Sequence, residues 1–234
     1  MSKVLIIPEC GHNHFGNIEL AKLMIEEAKN CGAEIVKFQL YDTNKIKKFY
    51  QSRYAELKFS ELTFEDVKKL KEHCDKVGIE FMASAFDIER VRWLEELGVK
   101  RHKIASRSIR DEELIKAMER TKKPIIASLG NWNDIILPKI KKAQFLYCIS
   151  EYPAYIVEGQ FPNSFNNNGI VGFSDHTIGC YWAREAIKRG AIIIEKHFTL
   201  DKKLPGHDMK GSMEPYELRD LITYAKQIER GVSF

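Results

Sequence analysis

The chain has 234 residues, 44% hydrophobic and 30% charged, the profile of a soluble globular protein that can bury a core without disulfide or metal staples. A formal net charge of +4, with lysines scattered along the chain, excludes an extended nucleic-acid footprint and leaves room only for a local basic pocket that takes a small anion. Five cysteines (Cys10, Cys31, Cys74, Cys148, Cys180) without a C-x-x-C pair and an apolar run of only Val4–Ile7 near the start exclude a disulfide framework, a signal segment and a membrane span, so a cytoplasmic protein is expected.

Short, β-branched-rich apolar runs mark strands at Val4–Ile7, Ile35–Phe38, Ile79–Ala83, Lys103–Ala105, Ile125–Ala127, Phe145–Ile149, Ile170–Phe173 and Ala191–Ile194. They are near-continuous rather than alternating, as expected of parallel strands buried on both faces. Helical spacing separates most of them. Ile18–Asn30 follows the N-cap candidate Asn17 and stops at Gly32. Thr63–Val77 opens on a capping-box-like Thr63-Phe-Glu-Asp66 and closes at Gly78. Asp87–Leu97, Asp111–Arg120, Ile178–Lys188 and Glu214–Arg230 follow in turn. The fifth helix, near Asn133–Lys142, is expected to be short, and from Tyr152 to Asn168 a Pro-, Asn- and aromatic-rich loop is expected in place of a sixth.

About eight strand–helix repeats in this length predict an α/β fold, a (β/α)8 TIM barrel with an irregular loop in place of its sixth helix, as a single catalytic domain over residues 1–234. Barrel enzymes carry their reactive groups at the C-terminal strand ends. There this chain places Glu9, Lys37 with Gln39, Ser84, Lys103 with Ser106 on the fourth strand, Ser128, Ser150 with Tyr152, Ser174-Asp175-His176 and Glu195-Lys196-His197. Every strand end is polar.

His176 and His197, on neighbouring strands and each flanked by a carboxylate (Asp175, Glu195), are either hydrogen-bonded structural residues or ligands of a borderline divalent metal. His12 and His14 read first as part of a polar loop over the barrel mouth. Lys37 and Lys103 interrupt apolar strands, and a buried ammonium needs an anionic partner. An internal ion pair, for example with Glu9, meets that need; so does a bound phosphate or carboxylate cradled by Ser106, Ser128 and Ser174, and the second is preferred. Lys45–Lys48 and Lys139–Lys142 read as solvated faces.

At these same residues the chain resembles the sialic acid synthase family, which makes N-acetylneuraminate and related nonulosonic acids. The runs that carry the resemblance occur in order along nearly the whole sequence: Pro8-Glu9-Cys-Gly-His-Asn-His14, Ala33-Glu-Ile-Val-Lys37-Phe-Gln39, Lys103-Ile-Ala-Ser106, Cys148-Ile-Ser-Glu-Tyr152-Pro-Ala, Gly172-Phe-Ser-Asp-His176-Thr-Ile-Gly, and Glu195-Lys-His197-Phe-Thr-Leu-Asp with Pro205-Gly-His-Asp208. The resemblance implies condensation of phosphoenolpyruvate with an N-acylhexosamine aldehyde, with C–O cleavage and release of phosphate. It implies that His176 and His197 ligate Mn2+, or else Mg2+ or Co2+, as a Lewis acid, with His197 thereby part of the catalytic set. Lys37, Lys103, Ser106, Ser128, Ser150 and Ser174 would hold phosphoenolpyruvate, Glu9 would move a proton or position water, and Gln39, Tyr152 and Asp208 would meet the acceptor sugar.

Three departures qualify it. The sequence stops at Phe234 without the antifreeze-like domain usual in the family, so either the sequence is part of a longer one, another protein supplies the lid, or the site works open; a homodimer or a separate lid protein is the partner expected. The family's Lys-Ile-x-Ser-x-Glu reads Lys103-Ile-Ala-Ser-Arg-Ser108, which points to a different acceptor. The segment from Ser128 to Tyr147 is short. A metal-dependent aldolase or lyase on a pyruvate-type substrate, and a paralogue that binds without turnover, are the alternative readings.

Overall fold

A computed structural model describes residues 2–48, 51–157, 159–166 and 169–232. Eight parallel strands close into a barrel in sequence order: β1 (Leu5–Gly11), β2 (Ile35–Leu40), β3 (Glu80–Ala85), β4 (His102–Ile104), β5 (Ile125–Ser128), β6 (Ala143–Cys148), β7 (Ile170–Asp175) and β8 (Ile193–His197), with β8 pairing back onto β1. The expected (β/α)8 architecture is present. Several strands run further toward their C-terminal ends than their apolar runs, because inward-facing polar residues still belong to the ladder.

Helices α1 (Ile18–Asn30), α4 (Phe64–Val77), α5 (Ile88–Glu96), α6 (Glu112–Arg120), α7 (Tyr181–Lys188) and α8 (Pro215–Glu229) lie where helical spacing put them. Asn17 caps α1 by accepting from Leu20 N–H, and Thr63 and Asp66 complete a reciprocal capping box on α4. Two short helices that apolar periodicity did not show, α2 (Thr43–Ile46) and α3 (Tyr54–Phe59), lie between β2 and α4. The expected fifth helix is not there: among the described residues no helix joins β5 to β6, and 133–142 are irregular. Pro138 within that segment has no N–H to give a helix.

Among the described residues the expected loop stands in place of a sixth helix; residues 158, 167 and 168 of it lie outside them. Its aromatics take over the work of a helix. Phe161 packs against Tyr147 of β6, Phe173 of β7 and Trp182 of α7, with ring centroids 5.7, 5.1 and 4.8 Å apart, and covers the outer face of those strands. Among the described residues no helix is long and apolar enough to cross a membrane.

Candidate active site

Side chains alternate along a strand, so residues two apart share a face. Ile7, Ile35, Met82, Ile126, Leu146 and Ile193 pack together as an apolar plug inside the barrel. Two residues further along the same strands stand Glu9, Lys37, Ser84, Ser128, Cys148 and Glu195. The barrel interior therefore changes from hydrocarbon to ions within one pleat, about 7 Å.

This ionic layer is tightly connected. Lys37 Nζ contacts a Glu9 carboxylate oxygen, donates to Ser84 Oγ at 3.1 Å and lies 3.7 Å from Glu195 Oε1. Lys103 Nζ donates to Ser128 Oγ at 2.8 Å and to the Ile104 carbonyl at 3.0 Å, and lies 3.5 Å from Glu195 Oε1. Ser174 Oγ donates to the same Glu195 oxygen at 3.2 Å, while Glu195 Oε2 is buried with no hydrogen-bond partner. Gln39 Nε2 donates to Glu9 Oε1 at 2.9 Å. Burial works against every charge here. For Lys37 the adjacent Glu195 and Glu9 outweigh it and raise the pKa; for Lys103 burial wins and lowers it; for Glu195 the two lysines outweigh burial and lower it. The internal ion pair considered for Lys37 is thus present.

The serines form two groups. Ser128 and Ser174 belong to the ionic layer. Ser106 lies not on β4 but in the 3-10 turn Ser106–Ser108 beyond it, where its Oγ accepts from Gly130 N–H at 3.1 Å and sits 3.3 Å from Cys148 Sγ. A Cβ at Gly130 would come within 2.3 Å of Ser150 Oγ and 2.9 Å of Ser106 Oγ, so the bare glycine leaves both hydroxyls facing one space. Ser150 Oγ is buried without a partner.

The histidine rings of His176 and His197 face each other at 5.7 Å between centroids. His176 Nδ1 lies 2.7 Å from the Ile149 carbonyl oxygen, which can only accept, so Nδ1 carries a proton and, in the neutral ring, Nε2 offers the lone pair. Burial holds His197 down to about 4, neutral near pH 7, with its Nδ1 unbonded and 3.7 Å from Asp208 Oδ2. Asp208 is itself kept below the usual carboxylate range, since His197, His12 and Arg53 outweigh its burial. Tyr152 stacks on His176 at 4.1 Å and lies 5.8 Å from both His197 and His207.

Asp175 corrects the expectation that each histidine has a carboxylate beside it. It points out of the barrel, where its Oδ2 accepts from Lys196 Nζ at 3.0 Å and its Oδ1 from the Thr177 hydroxyl at 2.7 Å, all inaccessible to solvent. Glu195 serves the lysines. Among the described residues no group of three or more His, Cys, Asp or Glu is arranged to hold an ion. The facing imidazoles of His176 and His197 are of a donor type that suits a borderline divalent ion.

Over the mouth, His12 Nε2 lies 3.1 Å from Glu56 Oε1, 2.9 Å from Arg53 Nη2 and 3.7 Å from Asp208 Oδ2, so α3 joins the rim of the site. His14 has a structural place, as expected: its Nδ1 accepts from Gly16 N–H at 3.1 Å and its ring packs on Phe38. A cavity of about 290 Å3 opens here, lined in part by Gln39, Ser106, Ser150, Tyr152 and Asp208. Larger space, about 460 Å3, lies at the opposite end around Ile35, Phe81 and Arg101, where the lining has none of these groups.

The strand-end residues singled out from the sequence thus gather at this one end of the barrel, except Asp175 and Lys196, which pair with each other behind its wall. Missed were Cys148, Gly130 and the Arg53–Glu56 pair, together with the counter-ion role of Glu195. The first and last of these were legible in strand alternation, two residues beyond Leu146 and Ile193.

The sequence profile of the NeuB family matches residues 24–233. An N,N'-diacetyllegionaminic acid synthase of Campylobacter jejuni is 37% identical over 99% of this chain and 78% of its own length. The N-acetylneuraminate-9-phosphate synthase of Homo sapiens is 30% identical over 97% of this chain and 70% of its own. Among solved structures, the N-acetylneuraminic acid (sialic acid) synthetase of Leptospira borgpetersenii superposes with a TM-score of 0.89 at 31% identity, covering 100% of this chain and 86% of that one. Similarity of this extent, together with a closed barrel whose mouth collects the motif residues, establishes that the chain is an enzyme of the synthase type and belongs to the NeuB family.

Proposed function

We propose that this enzyme condenses phosphoenolpyruvate with an N-acylhexosamine-type aldehyde to give a sialic-acid-like nonulosonic acid and inorganic phosphate. The observation that carries this reading is the buried ionic layer: Lys37 and Lys103, with Ser84 and Ser128, set directly beneath two facing histidines. The names of the relatives supply the product class.

Phosphoenolpyruvate has two anionic groups, and the barrel floor has two lysines on β2 and β4. Its phosphate and carboxylate would take those ammonium groups from Glu195 and Glu9, with Ser106, Ser150 and the Gly130 N–H completing the cradle and Ser128 and Ser174 staying within the same layer. Such donors are held in place before substrate arrives, so little reorganisation is spent during the reaction. The new C–C bond forms between C3 of phosphoenolpyruvate and the aldehyde carbon. Water adds to C2, and the bond from C2 to the bridging oxygen breaks as phosphate leaves. Glu9, held by Gln39, would accept a proton from that water, and a proton passes to the former aldehyde oxygen, which becomes the new hydroxyl. Gln39, Tyr152 and Asp208 line the cavity through which the sugar enters and would orient its hydroxyls.

His176 and His197 would hold a divalent ion, Mn2+ by the resemblance, and when bound it supplies a Lewis acid for the aldehyde oxygen. The test is incubation with phosphoenolpyruvate, Mn2+ and a panel of N-acylhexosamines, with the product weighed by mass spectrometry. A nonulosonic acid formed with stoichiometric phosphate supports the reading. A pyruvate adduct formed from pyruvate alone, without phosphate release, identifies an aldolase and overturns it.

A further inference from the structure

The rim of the mouth cavity carries positive charge that the floor does not use. Within the cavity lining, Arg53 is neutralised by Glu56 at 3.2 Å, and Asp208 stands between His12 and His197. Lys47 and Arg107 line the same cavity, and among the described residues neither forms an ion pair with a carboxylate. Lys47 was read from the sequence as part of a solvated face; its backbone closes α2 at the cavity wall instead.

Arg107 has a defined seat. Its guanidinium carbon lies 5.2 Å from the centre of the Phe86 ring, another cavity residue, and a guanidinium packed over an aromatic ring keeps its N–H edges available for a planar anion. The two neighbours in this turn serve opposite directions. Ser106 turns its hydroxyl inward to Gly130, toward the lysine floor, whereas Arg107 turns outward onto Phe86. The floor already balances two lysines against two carboxylates, whereas Lys47 and Arg107 bring two further cations to the cavity lining.

We propose that Arg107 and Lys47 form the subsite for an anionic substituent, a phosphate or a carboxylate, at the end of the acceptor sugar remote from its aldehyde. A sugar whose aldehyde carbon reaches the floor leaves its far end at this rim, where these two cations are. The proposal rests on the phosphoenolpyruvate reading for its assignment of floor and rim.

The experiment compares an N-acylhexosamine, its 6-phosphate and the corresponding uronic acid as acceptors for the parent, Arg107→Ala and Arg107→Lys. The parent is expected to favour an anionic acceptor over the neutral sugar in kcat/KM by about 10- to 100-fold, the scale of one or two charge-assisted hydrogen bonds. Whether the phosphate or the carboxylate is preferred identifies the group. Arg107→Ala is expected to collapse that preference through KM, with Arg107→Lys retaining part of it. Equal use of neutral and anionic acceptors by the parent overturns the proposal. So does a rise in KM for phosphoenolpyruvate in Arg107→Ala that matches the rise for the acceptor, because the cations would then belong to the first substrate. Direct calorimetric binding of the sugar 6-phosphate to the parent and Arg107→Ala, alongside separate titration of phosphoenolpyruvate, separates the two readings. Loss of sugar-phosphate binding in the variant sustains the rim subsite even where phosphoenolpyruvate fails to bind, and unchanged binding ends it.

Discussion

Lys103 Nζ and Glu195 Oε1 stand 3.5 Å apart inside the barrel, where both side chains are almost wholly withdrawn from water. Neither charge is sustainable alone at that depth. Glu195→Ala is expected to lower the unfolding free energy by about 3–5 kcal/mol in urea titrations, the usual cost of breaking a buried pair from one side. Saturating phosphoenolpyruvate is expected to raise the melting temperature of this variant more than that of the parent, since the substrate would restore a counter-charge. An equal or smaller rise in the variant would show that the anion does not sit against Lys103.

Gly130 is a position where the backbone packs directly against site hydroxyls. Because a Cβ there meets Ser150 Oγ at 2.3 Å, Gly130→Ala fills the space between Ser106 and Ser150. The affinity for phosphoenolpyruvate is expected to fall about tenfold or more, the worth of one hydrogen bond to a charged group. Overpacking is expected to cost about 1–3 kcal/mol of stability in the same variant. Unchanged substrate affinity would remove these two hydroxyls from the cradle.

Asp175 and His176 are adjacent in sequence and opposite in role. Asp175→Asn strips the charge that offsets Lys196 behind the barrel wall, at an expected cost of about 3 kcal/mol or more in stability. Mn2+ titrated by calorimetry is expected to bind Asp175→Asn with parental stoichiometry and to lose its affinity for His176→Ala. Loss of Mn2+ binding in the folded Asp175→Asn protein would contradict the division.

His14 sets an acid limit on stability. Burial lowers its pKa from 6.5 to about 4, ahead of the repulsion from His12. Between those values the unfolded chain holds a proton that the folded one refuses, so stability falls as the pH drops. The contribution is complete above pH 6.5 and lost by about pH 4, roughly 3 kcal/mol at about 1.4 kcal/mol per unit. His14→Phe is expected to flatten that slope in chemical denaturation at stepped pH. A slope unchanged by the substitution would assign it to other buried groups, His197 first.

Much of this molecule was readable before its structure. Ile18–Asn30 and its cap Asn17 were found residue for residue, because an apolar stripe with a cap on one end and a glycine on the other leaves little freedom. Strand ends were cut short before Glu9, Gln39 and the Glu195–His197 run, since an apolar-run criterion stops at polar residues even when they face inward. The same criterion hid Asp175. Counting by twos from Gly172 puts Ser174 inside and Asp175 outside, which sequence adjacency to His176 obscured. α2 and α3 carry too few turns for periodicity to register, and Phe161 could be assigned its covering role only once the strands it shields were in place.

Lys103 decides most directly whether the barrel floor is the phosphoenolpyruvate site. Calorimetric titration of phosphoenolpyruvate into the parent and into Lys103→Ala, with circular dichroism confirming that the variant is folded, measures it. The expected result is a loss of affinity of about 100-fold or more, in line with removal of one buried charge-assisted contact to a phosphate. Equal affinity in the folded variant would contradict the assignment and return Lys37 and Lys103 to the role of internal ion pairs.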